Sequence, residues 1–154
     1  MTIGIIVYSN TGQTLALVEA LQQKLASSGK QAAIEKLEAP ADFKPGQTST
    51  TLVSVPSVSA YGEIVLATPT WGGRPAPPMA AFLEQLPDLQ GKRVVYVVTG
   101  FFPPRMGCNE TIAQMKAACE AKGAASSGEG SLSWLTFGRK KKAAKLVEDL
   151  AGLL

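Results

Sequence analysis

The sequence predicts an α/β fold: a doubly wound parallel sheet of five strands in the order 2-1-3-4-5, with helices on both faces, in a single domain over residues 1–154. Three observations carry this. The runs Ile3–Tyr8, Ile64–Ala67 and Val94–Val98 are nearly continuously apolar rather than alternating, as strands buried on both faces must be. Apolar residues at helical spacing fill the gaps between strands. Two weaker strand candidates, Ala32–Leu37 and Ser126–Trp134, are polar or rich in Ser and Gly, and they fall second and fifth along the chain. Those are the edge positions of the 2-1-3-4-5 order, so polarity and position agree.

In chain order, Ile3–Tyr8 is the first strand. Leu15, Val18, Leu21 and Leu25 then line one face of a helix that Gly29 stops. Ala32–Leu37 follows as an edge strand, with Glu35 and Lys36 inside it. Between Ala39 and Ala60 only a short turn near Ser57–Ala60 is predicted. After the strand Ile64–Ala67, Pro77-Pro78 suits the start of a helix striped by Met79, Phe82, Leu83 and Leu86. Val94–Val98 is the fourth strand. Ile112, Met115 and Cys119 mark a third helix ending near Gly123, and Leu146, Val147, Leu150 and Leu153 mark a last one after Ser126–Trp134.

A chain that is 45% hydrophobic and 18% charged, with mean hydropathy +0.11, is neither a disordered tail nor a fibre. A domain this long buries about 68–70% of the surface its unfolded chain exposes, so it needs no disulfide or metal. Fifteen basic and 12 acidic residues, net +3 with pI near 8.9, are too mild a balance to predict nucleic-acid binding. There is no histidine, which excludes His-based triads, Cys–His pairs and His-ligated metals. Cys108 and Cys119 form no CxxC and read as small residues on or near one helix. Met1-Thr2 leads into the first strand without a basic and apolar leader, and each apolar run is far short of the roughly 18 residues of a membrane helix. The expectation is a soluble cytoplasmic protein with reduced thiols and no membrane partner.

The predicted strand order places a ligand between the first and third strands, outside their carboxyl ends. The loops meeting there begin at Ser9, Thr68 and Thr99. Ser9-Asn10-Thr11-Gly12-Gln13-Thr14 brings three hydroxyls and the amides of a helix N-terminus to one place, with no Lys or Arg. It has neither the Gly-Lys-Ser/Thr ending of a Walker loop nor GxGxxG. It also lacks the Cys and Arg of a phosphatase loop and the acidic residues of a receiver domain. It suits holding a phosphate without reacting with it; the alternative is a polar turn with Thr11 capping the helix. Pro69-Thr70-Trp71-Gly72-Gly73 sets a Trp in a loop rich in Pro and Gly, where a core Trp is hard to explain. Thr99-Gly100-Phe101-Phe102, continuing through Arg105 to Gly107, brings two aromatics that either stack on a ligand or cover the end of the sheet.

Ser9–Thr14 matches, position for position, the S/T-x-T-G-x-T phosphate-binding pattern of the flavodoxin family, at the family's place after the first strand. The chain resembles that family over essentially its whole length. Tyr61–Thr68 is similar to its third strand, Pro69–Gly73 to its first flavin-contacting loop, and Lys92–Gly100 to the strand leading into the second. The resemblance implies non-covalent FMN and electron transfer through it. By that likeness Ser9, Asn10, Thr11, Gly12, Gln13 and Thr14 hold the phosphate. Pro69, Thr70, Trp71, Gly72 and Gly73, with Thr99, Gly100, Phe101 and Phe102, flank the ring. No catalytic side chain and no metal are implied.

An NAD(P)H-dependent FMN or quinone reductase on the same fold is the alternative, because hydride transfer to a flavin needs no protein acid or base. A flavin-free interaction module is the third reading, and the intact phosphate loop argues against it. The chain departs from family carriers in the third loop, which lacks their usual tyrosine and acidic residues. Across the three loops Arg74 and Arg105 stand without any Asp or Glu. Arg139-Lys140-Lys141-Lys142 opens the last helix, where positive charge opposes the helix dipole. That run reads first as a solvated face; the other reading is docking of an acidic redox partner protein.

Overall fold

The three apolar runs form the centre of one parallel sheet. In the computed structural model, which describes residues 2–154, the elements follow the predicted alternation. They are β1 (Ile3–Val7), α1 (Gln13–Ser27), β2 (Ala32–Lys36), β3 (Glu63–Trp71), β4 (Arg74–Pro75), α2 (Pro77–Glu84), β5 (Arg93–Gly100), α3 (Cys108–Glu120), β6 (Ala125–Ser133) and α4 (Arg139–Leu153). The sheet order is β2-β1-β3-β5-β6, with the two-residue β4 pairing antiparallel to the end of β3. Apart from that arm, this is the predicted 2-1-3-4-5 arrangement. The two polar strands lie at the edges.

Alternate residues of the central strands feed two cores. Ile6, Leu66, Tyr96 and Val98 face α2 and α3, where Met79, Phe82, Ile112 and Met115 are buried. Ile5, Val7, Val65, Val95 and Val97 face α1 and α4, against Leu17, Val18, Leu21, Leu25, Val147 and Leu150. Leu17 rather than Leu15 completes the inner stripe of α1, and Leu153 on α4 is exposed.

Two strands run well past their expected ends, the other strand ends differ by at most one residue, and α2 stops at Glu84, short of the expected Leu86. β3 runs four residues beyond Ala67: Thr68 and Pro69 stay paired with Val98 and Thr99 of β5, and β4 folds back on Thr70 and Trp71. β5 likewise continues to Gly100, paired with Ser133 of β6. The connection from β2 to β3 holds no helix or strand, as expected. It includes the turn closed by the Tyr61 amide on the Val58 carbonyl (3.1 Å), and Val58 is buried beneath it.

Candidate functional site

Ser9 organises the first loop. Its Oγ accepts the amides of Gly12 (3.1 Å) and Leu15 (3.2 Å), which leaves its own proton to donate. Gly12, at a left-handed φ of 88°, occupies the N-cap of α1, which has no side-chain cap. Thr11 is therefore not the cap and stands exposed. Asn10 and Gln13 are exposed beside it. The amides of Gln13 and Thr14 have no acceptor among the described residues, and the first turn contains no acid. Free amides at the positive end of a 15-residue helix suit an anion. Thr14 points inward, buried, with its Oγ1 2.8 Å from Thr99 Oγ1. Two paired hydroxyls use one proton between them, so one remains to give.

The second segment is less of a loop than its composition suggests. Pro69, Thr70 and Trp71 end β3, and Gly72 and Gly73, at φ 62° and 76°, turn the chain into β4. Positive φ at both central residues is the geometry of a two-residue hairpin, and it is why both are glycine. The hairpin is fastened to α3: Thr70 Oγ1 lies 2.6 Å from Thr111 Oγ1, and Gln114 Nε2 donates to the Gly73 carbonyl at 2.9 Å. Trp71 is half-buried, parallel to Phe43 with centroids 6.2 Å apart and edge-on to Tyr8 at 5.9 Å. The indole thus has neighbours in the core, and Phe43 lies over part of its flat surface.

The third loop begins with two buried residues, Thr99 and Gly100. A Cβ on Gly100 would lie 2.9 Å from Cys108 Sγ and 3.0 Å from Thr70 Cγ2, so the close approach of α3 and β3 requires glycine. Phe101 and Phe102 are exposed and meet edge-to-face at 5.5 Å. They stand at the rim and do not cover the end of the sheet. Burial pushes the Cys108 thiol upward, with Glu110 adding to the shift, which keeps it protonated and inert.

The structure therefore gathers all three segments. Thr14–Thr99 joins the first to the third, Tyr8–Trp71 the first to the second, and Thr70 against Gly100 and Gly107 the second to the third. Tyr8 and Phe43 also belong to this site, and sequence reasoning misses both as site residues. Tyr8 reads only as the end of an apolar strand. Phe43 carries one signal, an aromatic alone in a polar connection.

No family model matches the chain, and no curated protein does. Solved structures do. A flavodoxin from Pseudomonas aeruginosa, solved as a cysteine-to-serine mutant, matches with TM-score 0.71 at 17% identity, covering 100% of this chain and 99% of its own. The flavodoxin of Streptococcus pneumoniae TIGR4 gives 0.69 at 18% identity, covering 100% of both. A Lactobacillus acidophilus flavoprotein in complex with FMN gives 0.63 at 16%, covering 84% of this chain and 91% of its own. The fold is that of the flavodoxins.

Within this flavodoxin-like frame, the phosphate end fits FMN on the chain's own atoms: two free amides, donors in reserve and no carboxylate nearby. The ring end has an indole, a glycine hairpin and two rim phenylalanines. A separate groove of about 660 Å³ runs between α1 and α4, lined by Leu17, Trp134, Arg139 and Val147 among others, and shares only Gln13 with the three loops. Arg74 and Arg105 are exposed and form no ion pair among the described residues. No group of three or more Cys, Asp or Glu side chains among these residues is placed to hold a metal, and no helix is long and apolar enough to cross a membrane.

Proposed function

We propose that this chain binds FMN non-covalently and passes electrons between protein partners in the cytoplasm. The observation that carries the reading is the Ser9–Thr14 loop. It holds the S/T-x-T-G-x-T pattern at the switch point of a flavodoxin-like sheet, with the Gln13 and Thr14 amides free. Two buried free cysteines suit a reducing compartment.

When bound, FMN supplies the electron chemistry. The chain's part is to bind and orient. The Ser9 and Thr11 hydroxyls and the amides at the start of α1 would donate to the phosphate, and the Thr14–Thr99 pair would keep one further O–H to donate. Trp71 and the Gly72–Gly73 turn would line the ring, with Phe101 and Phe102 at its outer rim and Tyr8 packed edge-on against the indole. No side chain is needed as acid or base.

Titration of the apoprotein tests this. FMN should bind at micromolar protein with quenching of its fluorescence. Each lost hydrogen bond to a charged group is worth about 1.5–3 kcal/mol, so riboflavin should bind more than about tenfold more weakly. Absence of FMN binding defeats the reading. Anaerobic mixing with millimolar NADH or NADPH then separates carrier from reductase: a carrier keeps its colour, whereas bleaching within seconds makes the chain a reductase.

A further inference from the structure

The loops after β5 and β6 form one surface. Past the paired strands, the Trp134 amide donates to the Gly100 carbonyl (2.8 Å) and the Leu135 amide to the Phe101 carbonyl (3.1 Å). Ser133 Oγ also donates to the Phe101 carbonyl (3.2 Å). Five large apolar side chains on these two loops face solvent: Phe137 at 99% exposure, Phe101 at 59%, Leu135 and Met106 at 56% each, and Phe102 at 52%. Only three other large hydrophobics are comparably exposed among the described residues, Val53, Val55 and Leu153, and none of them lies on these loops. An apolar concentration of this kind marks an interaction site.

Its charge is mainly of one sign, with the exposed Glu110 in the first turn of α3 the acid next to it in sequence. Residues 99–109 and 133–142 carry Arg105, Arg139, Lys140, Lys141 and Lys142 and no Asp or Glu. None of the five pairs with a carboxylate among the described residues. Glu38 and Asp42 lie instead beyond β2, at the opposite edge of the sheet. The four consecutive cations of α4 sit about 100° apart around the helix and so cannot all face a flat surface. They suit a contoured partner better than a lipid plane.

We propose that this surface docks an acidic redox protein, with Phe101, Phe102, Leu135 and Phe137 closing against it and the cations steering it. An apolar centre within a charged rim fits a transient partner: the rim raises the encounter rate and fixes the register, and the centre excludes water. The purpose of the surface rests on the flavin reading, because Phe101 and Phe102 stand where electrons would cross. Its binding does not.

The test uses a plant-type [2Fe–2S] ferredoxin as the acidic probe and cytochrome c as the basic one, against the protein with and without FMN. Ferredoxin should bind both forms at low ionic strength and at least tenfold more weakly at about 0.2 M salt, where screening acts within about 8 Å. Cytochrome c should not bind. Lys140→Glu with Lys141→Glu should weaken ferredoxin binding at least tenfold and Phe137→Ser several-fold, each with FMN affinity unchanged. Acidic residues at a helix start are favourable, so the charge reversal should not unfold α4. Three results overturn the proposal: no ferredoxin binding at low salt, binding indifferent to these substitutions, or capture by phosphatidylcholine–phosphatidylglycerol vesicles while ferredoxin is ignored. If ferredoxin docks but FMN never binds, the flavin reading falls and the docking surface stands.

Discussion

The first and third loops occupy equivalent places, each leaving a buried central strand and entering a helix, yet they are built in opposite ways. In the first, Ser9 Oγ gathers two amides and Thr14 turns inward to Thr99, so what faces outward is mainly backbone N–H and hydroxyl. In the third, the backbone is tied sideways to the segment after β6, and two phenylalanines are left in solvent. A loop whose donors are set before the ligand arrives suits a small anion. Exposed apolar side chains beside unpaired cations suit another macromolecule. The same topological position therefore suits two kinds of recognition, according to whether side chains are spent on the loop itself.

Ser9→Ala should break the contrast most. It removes a phosphate donor and releases the Gly12 and Leu15 amides, so at about 1.5–3 kcal/mol FMN affinity should fall roughly ten- to a hundredfold while riboflavin affinity changes far less. Phe102→Ala, an exposed change of about 0.5 kcal/mol, should alter FMN affinity by no more than about threefold in the same titration. Equal losses of FMN and riboflavin in Ser9→Ala would mean that the loop does not hold a phosphate.

The Thr14–Thr99 pair is the next handle. Thr14→Val or Thr99→Val alone leaves a buried hydroxyl without its partner, at about 1–3 kcal/mol. At roughly 2–4 °C per kcal/mol for a chain of this size, the melting temperature should drop visibly. The double variant should be less destabilised than the sum of the singles; strict additivity would show that the two hydroxyls are not bonded.

Phe43→Ala probes the ring end. A stacked aromatic pair is worth about 0.5–1.5 kcal/mol, so freeing the indole should tighten FMN binding about two- to tenfold. The readout is Trp71 fluorescence in a Trp134→Phe background. Weaker binding would instead make Phe43 the support that holds Trp71 in place.

The smallest effect concerns charge at the flavin. A unit charge about 8 Å away at an effective dielectric near 20 contributes up to about 2 kcal/mol before screening. Arg74→Glu should therefore lower the potential of the second electron by some tens of millivolts, and added salt should shrink that difference. An unmoved potential in a spectroelectrochemical titration would leave the field to Arg105.

Much of the fold was readable locally, because a strand buried on both faces leaves a continuous apolar run and a helix leaves a stripe. Polarity alone placed Ala32–Leu37 and Ser126–Trp134 at the edges, and edge position with chain order gave the sheet order. The cluster of donors at the start of α1 was legible too, since they come from six consecutive residues, Ser9–Thr14. The β4 arm was not, because two residues carry no periodicity and Gly72-Gly73 reads equally as a loop. Nor were the meetings that assemble the site. Thr14 and Thr99 lie 85 positions apart, Phe43 reaches Trp71 from a connection without regular structure, and Gly100 is glycine because Cys108 and Thr70 crowd it. The sequence pattern states which face of each element is buried. Which side chains of different elements meet is set by strand register and helix placement, and only the assembled sheet fixes those.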